Sequence, residues 1–205
     1  MHLYLSSFGI GDHPDALVEL VGVGARIGVV LNAIDDRSAS DRTLAGRLES
    51  DELRRLGLVP TELDLRVATD VDRLAEVAAV WVRGGNTFVL RDALAVAGAD
   101  EVISARVRAQ TMTYAGYSAG GAVLAPDLDW VAEVDDSRAV ASPRFDGLGL
   151  IDRPVVPHVG GRYPEALECS ALSARLDAAG RAHVALRDGD VLIDRGAGPM
   201  ILPRH

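Results

Sequence analysis

The chain has 205 residues, 48% of them hydrophobic, and a formal net charge of −9. That length fits a single domain over 1–205 with a full core, and the acidic balance excludes a nucleic-acid backbone as partner. No apolar run approaches the roughly 18 residues of a membrane helix, and every Lys/Arg cation is arginine, which excludes a Schiff base, a lysine-activated serine and a P-loop lysine.

The first segment, "HLYLS" (2–6), reads as a strand; "MHLYLSS" has neither a basic leader nor a small-residue cleavage site, so no signal peptide is expected. Further strand-length apolar runs follow at "RIGVVLNA" (26–33), "TELDLRV" (61–67), "AAVWVRG" (78–84) and "QTMTYAG" (110–116). Between them, residues 13–22, 40–57, 70–78 and 86–109 carry helical periodicity. This alternation predicts an α/β fold, a doubly wound and mostly parallel sheet with helices on both faces. The rhythm breaks after Pro126, where a Pro-, Gly- and Asp-rich stretch predicts loops and a short antiparallel element. A helix over 164–180 follows, and "DGD" (188–190) reads as a hairpin turn. Cys169 lies in the helix-like "ALECSAL", as a packed thiol; a single cysteine forms no internal disulfide and suits a cytoplasmic protein.

Several motifs have bland explanations. Gly22, Gly24 and Gly28 in "VGVGARIG" precede a strand, whereas a dinucleotide-binding turn must follow one, so a helix stop and turn is expected. The pairs Asp35–Asp36 and Asp135–Asp136 lack histidines at ligand spacing and read as solvated loop carboxylates; no metal or cofactor is expected.

"YAGYSAGGAVL" (114–124) is more informative. A nucleophile elbow holds its serine on a tight strand-to-helix turn and needs small residues two positions either side, here Gly116 and Gly120 around Ser118. A helix beginning after the serine would aim the Ala119 amide at a developing oxyanion. "VWVRGGNTFVL" (80–90) is a second strand ending in glycines, with Asn86 and Thr87 as helix caps, and Gly85 could supply another donor. Of five histidines, His158 in "RPVVPHVGG" has the strand-end position a general base needs; it fits better than His183, which alternation would place on a sheet face.

Together, "RGGNTF", "GYSAGG" and "VVPH" resemble the peptidase E (aspartyl dipeptidase) family, to which cyanophycinases are related and whose fold is similar to class I glutamine amidotransferases. The resemblance runs from the first strand to about Gly196. It implies that Ser118 is the nucleophile, His158 its base, Asp188 in "ALRDGD" the carboxylate that orients the histidine, and Gly85 and Ala119 the oxyanion donors. It thus implies a serine peptidase acting on small peptides, with Asp190 the rival third residue. Asp146 is expected in a turn. The family's stretch after the histidine, with an arginine suited to an aspartyl side chain, has no counterpart in "PHVGGRYPEALECSALSARL". Arg162 and Arg175 are the substitutes at hand, and Asn86 and Arg162 the candidate substrate contacts. The alternative expectation is a ligand-binding homologue that keeps the elbow without a competent pocket.

Overall fold

The computed structural model describes residues 1–161 and 164–205. In chain order the elements are β1 (His2–Ser6), α1 (Pro14–Val21), β2 (Arg26–Val30), α2 (Ala39–Arg55), β3 (Val59–Glu62), α3 (Ala68–Asp72), β4 (Ala79–Val82), α4 (Thr87–Ala97), α5 (Ala99–Arg108), β5 (Thr113–Tyr117), α6 (Ala119–Ala122), β6 (Val155–Val156), α7 (Pro164–Ala178), β7 (Val184–Ala185), β8 (Val191–Arg195) and β9 (Pro199–Leu202). Seven strands form one sheet in the order β3-β2-β4-β5-β1-β8-β9, and β6 pairs with β7 separately. The strands from β3 to β1 run parallel, and β8 and β9 add an antiparallel edge.

Strand alternation builds a core on each face of the sheet. Val80 and Val82 of β4, with Leu3 and Leu5 of β1, pack with Leu90, Leu94 and Ile103 from α4 and α5. Ala79 and Trp81, with Tyr4 between the two leucines, pack instead with Leu17 of α1 and Leu53 of α2. The expected doubly wound fold is therefore present.

The differences from the sequence reading are local. The helix expected over 86–109 is two helices, because Gly98 adopts a left-handed conformation (φ 67°) and its amide closes the end of α4. The strand expected at 61–67 ends at Glu62, although Leu63 and Leu65 are buried. Its neighbour β2 stops at Val30 and the chain turns at Asn32–Ile34, so residues beyond Leu63 have no strand to pair with. There the Asn32 side chain accepts from the Leu65 amide instead. "DGD" is not a hairpin: β7 and β8 lie in different sheets, and the hairpin is β8–β9. Past Pro126, Asp127 and Asp146 make one antiparallel bridge among short 3-10 turns. Gly22 ends α1, as expected for a stop.

Candidate active site

The carboxyl ends of three adjacent strands, β4, β5 and β1, deliver Gly84–Gly85, Ser118 and Ser7 to one edge of the sheet. The loops after β6 and β7 bring His158 and Asp188 to the same edge, where ligands bind in open α/β sheets.

Ser118 has φ 50° and ψ −118°, a conformation that costs a non-glycine residue on the order of 1–3 kcal/mol. Its neighbours show why the turn holds. A Cβ on Gly120 would overlap the Val82 carbonyl oxygen, and one on Gly116 would come within 2.7 Å of that same atom. Both glycines are thus required by the packing of the elbow on β4. Gly84 lies against the serine itself, where an added Cβ would sit 2.9 Å from Ser118 Cβ. Helix α6 is only four residues long, so it brings little macrodipole to Ser118.

Ser118 Oγ lies 3.2 Å from His158 Nε2, and His158 Nδ1 lies 2.8 Å from Asp188 Oδ1. An ionised carboxylate can only accept, so the Nδ1 proton faces Asp188 and Nε2 is left to accept from the serine. His158 is 3% exposed and also adopts a positive φ, 60°. Its backbone is fixed by a residue that sequence reading missed. Ser7, fully buried, accepts from the His158 amide at 2.7 Å and donates to Asp188 Oδ1 at 2.8 Å.

Asp190, the rival carboxylate, is engaged elsewhere: it accepts from the amides of Arg187 and Arg204 and braces the turn. Asp146 pairs with Arg91, Arg175 with Glu133, and His183 bonds Ser173 and the Arg181 carbonyl. Arg162 lies outside the described residues. Asn86 caps α4 by accepting from Phe88 and Val89, while its side-chain amide donates to the Asp136 carbonyl.

The backbone at Gly85 is pinned by the turn at Asn32–Ile34: the Asn86 amide donates to the Ala33 carbonyl, whose oxygen a Cβ on Gly85 would overlap. Neither the Gly85 nor the Ala119 amide has an acceptor among the described residues.

Two spaces flank Ser118. An open cleft of about 490 Å³ is walled by Phe8, Tyr117, Arg37 and Arg83. A crevice of about 20 Å³ runs between Ala119, Ala122, Trp130 and Asp135. Asp135 is not the solvated carboxylate expected; it accepts from the Thr87 amide at 2.8 Å, and burial pushes its pKa up. Asp35 likewise is ion-paired to Arg42 at 2.7 Å, whereas Asp36 and Asp136 are exposed as read. Cys169 is 3% exposed and burial pushes its thiol up to about 12, in keeping with a packed cysteine.

Beneath the cleft, the buried Glu49 accepts from Trp81 Nε1 at 2.7 Å and from the Tyr117 hydroxyl at 2.6 Å. It also pairs with Arg83 Nε at 3.2 Å. A glutamate in a charged helix carries no sequence mark of such burial. No described helix is long and apolar enough to cross a membrane.

The model of Peptidase family S51 matches residues 44–198. An uncharacterized peptidase of Pasteurella multocida is 39% identical over 101 residues, 47% of this chain and 48% of that protein. Peptidase E of Streptomyces coelicolor is 30% identical over 148 residues, 70% of this chain and 55% of that one. The chain thus spans about half the length of the curated relatives it matches. A crystal structure of a candidate peptidase E protein from Listeria monocytogenes has a TM-score of 0.83 at 23% identity, covering 100% of this chain and 98% of that one. A peptidase from an acI-B1 actinobacterium has a TM-score of 0.69 at 17% identity, covering 98% and 87%. At these identities the structural likeness is one of fold.

Proposed function

The chain belongs to Peptidase family S51, and from that premise we propose that it is a serine peptidase hydrolysing small peptides through Ser118, His158 and Asp188. The observation that carries this reading is the relay from Ser118 Oγ to His158 Nε2 (3.2 Å) and from His158 Nδ1 to Asp188 Oδ1 (2.8 Å). Ser118 Oγ attacks the scissile carbonyl carbon as His158 Nε2 takes its proton. The carbonyl oxygen becomes an oxyanion between the Gly85 and Ala119 amides. Asp188 holds the tautomer and faces the imidazolium. Collapse of the tetrahedral adduct expels the amine, which takes the proton from Nε2. Water, deprotonated by His158, then attacks the acyl ester and returns Ser118.

The reading includes one domain over residues 1–205 and a cytoplasmic setting, supported by a seven-stranded sheet that draws strands from both ends of the chain and by a single cysteine that is free and buried. Asp-X dipeptides are not singled out as substrates, because the arginine expected to meet an aspartyl side chain has no matching motif after His158.

A fluorophosphonate probe followed by peptide mass mapping tests the assignment. The expected result is one adduct, on Ser118, which His158→Ala reduces by at least a hundredfold in rate. An unlabelled Ser118, under conditions where a known serine peptidase reacts, refutes the enzyme reading.

A further inference from the structure

A single exposed phenylalanine on a convex surface carries no meaning of its own. Phe8 differs by its place: it lies on the wall of the open cleft beside Ser118 and is 62% exposed there.

The ring is nonetheless held. It meets the Tyr117 ring at 6.0 Å between centroids and the His158 ring at 6.1 Å, both in the T-shaped arrangement that aromatic pairs prefer. The backbone on either side is anchored as well. The Ser7 hydroxyl bonds the His158 amide and Asp188, and the Ser6 hydroxyl donates to the Gly9 carbonyl. The Tyr4 hydroxyl donates to the Ile10 carbonyl at 2.6 Å. An aromatic face fixed in a cleft and open to water needs little reordering to receive an apolar group.

Strand order decides which part of a substrate meets that face. Strands β4, β5 and β1 are neighbours in that sequence, so the Gly84–Gly85 turn after β4 and Phe8 after β1 lie on opposite sides of Ser118. His158 is on the Phe8 side, through its ring contact and the Ser7 bond. In the proposed reaction the carbonyl oxygen turns toward Gly85, and the amine leaves with the proton from His158 Nε2. The residue carrying that amine therefore crosses the Phe8 side of the cleft. Other walls suit an apolar side chain poorly. Arg37, Arg83, Glu165 and Asp188 are charged, and Tyr117 is buried with its hydroxyl bonded to Glu49.

We infer that Phe8 is the apolar wall of the subsite for the leaving residue, so that the preferred substrates are short peptides with a large apolar or aromatic side chain immediately after the scissile bond. The subsite rests on the peptidase reading, which supplies the scissile bond and its direction.

Binding to a variant that cannot turn over separates the subsite from catalysis. Ser118→Ala protein is titrated by calorimetry with Ala-Phe amide, Phe-Ala amide and Ala-Ala amide, three peptides of equal charge. Ala-Phe amide is expected to bind about tenfold tighter than either of the others. Tenfold is about 1.4 kcal/mol, which burial of roughly 55 Å² of apolar surface supplies. Adding Phe8→Ala is expected to bring Ala-Phe amide to within about twofold of Ala-Ala amide, and Phe8→Leu to restore part of the preference. Equal affinity for all three peptides, tighter binding of Phe-Ala amide, a preference that survives Phe8→Ala, or no binding up to millimolar peptide overturns the subsite. Fluorophosphonate labelling of the unsubstituted protein reports on the nucleophile separately: labelling without the preference sinks the subsite alone, and the preference without labelling sinks the peptidase reading alone.

Discussion

Ser7→Ala is the perturbation that reaches the relay without touching its three members. The Ser7 hydroxyl accepts from the His158 amide at 2.7 Å and donates to Asp188 Oδ1 at 2.8 Å, and the residue is fully buried. Alanine leaves the His158 N–H without that acceptor in a place water reaches poorly, at a cost of about 1–3 kcal/mol. It also removes a hydrogen bond to a carboxylate, which contributes about 1.5–3 kcal/mol. The contributions are coupled, so the expected loss of stability is about 2–4 kcal/mol, read as a lower urea midpoint with an unchanged slope. The effect on the site is larger than that on the fold, because His158 sits at φ 60° and that amide bond helps hold it there. Misplacing a catalytic group by about 1 Å costs on the order of a hundredfold in rate. Fluorophosphonate labelling of Ser118 is therefore expected to slow by about ten- to a hundredfold at a denaturant-free temperature where the variant remains folded. Labelling within twofold of the parent, in a variant destabilised as predicted, refutes the idea that Ser7 positions the histidine.

Three other outcomes follow from the geometry. Asp188→Asn is expected to slow labelling by about a thousandfold or more by disturbing the His158 tautomer, whereas Asp190→Asn chiefly lowers the melting temperature because it weakens the turn held through Arg187 and Arg204. The reverse pattern would make Asp190 the orienting residue. Gly120→Ala forces a methyl onto the Val82 carbonyl oxygen and is expected to yield insoluble protein or a loss of about 3 kcal/mol or more in urea melts; wild-type stability would show that the elbow can move off β4. Asp64 carries hydrogen bonds from Arg66, which hold its carboxyl well below the usual carboxylate range. A depressed folded-state pKa gives stability that is complete above the unfolded value, about 3.9, and is lost as pH falls below it. Asp64→Asn should therefore flatten the drop in melting temperature between about pH 4 and pH 2, and an unchanged acid limb would exclude Asp64 as its source.

Much of the fold was legible because its causes are local. The segment "HLYLS" is strand β1 without a residue's error, since leucines at 3 and 5 and a tyrosine at 4 face opposite cores, as strand alternation requires. The small residues around Ser118 were legible for the same reason, because a tight turn excludes Cβ atoms whatever else surrounds it. "TELDLRV" misled because alternating leucines show burial but not whether a neighbouring strand continues alongside them. "DGD" misled similarly. Its turn chemistry is real, with Gly189 at φ 102°, but the following strand pairs with β1 and β9 and not with the β7 that precedes the turn.

The residues that escaped sequence reading share one property: their function depends on what lies opposite them. Ser7 is a common residue at the end of a strand and meets a histidine 151 positions later. Glu49 looks like one of many solvated helix acids until Trp81, Tyr117 and Arg83 converge on it. The elbow shows in the sequence because its packing on Val82 leaves no room for a Cβ at Gly116 or Gly120. The surrounding polar residues are under no such constraint: many sequences could supply a hydroxyl for Asp188 or a cation for the cleft. Such residues carry little local signature, and they emerge only when the fold sets Ser7 against His158 and Asp188, and Glu49 against Trp81, Tyr117 and Arg83.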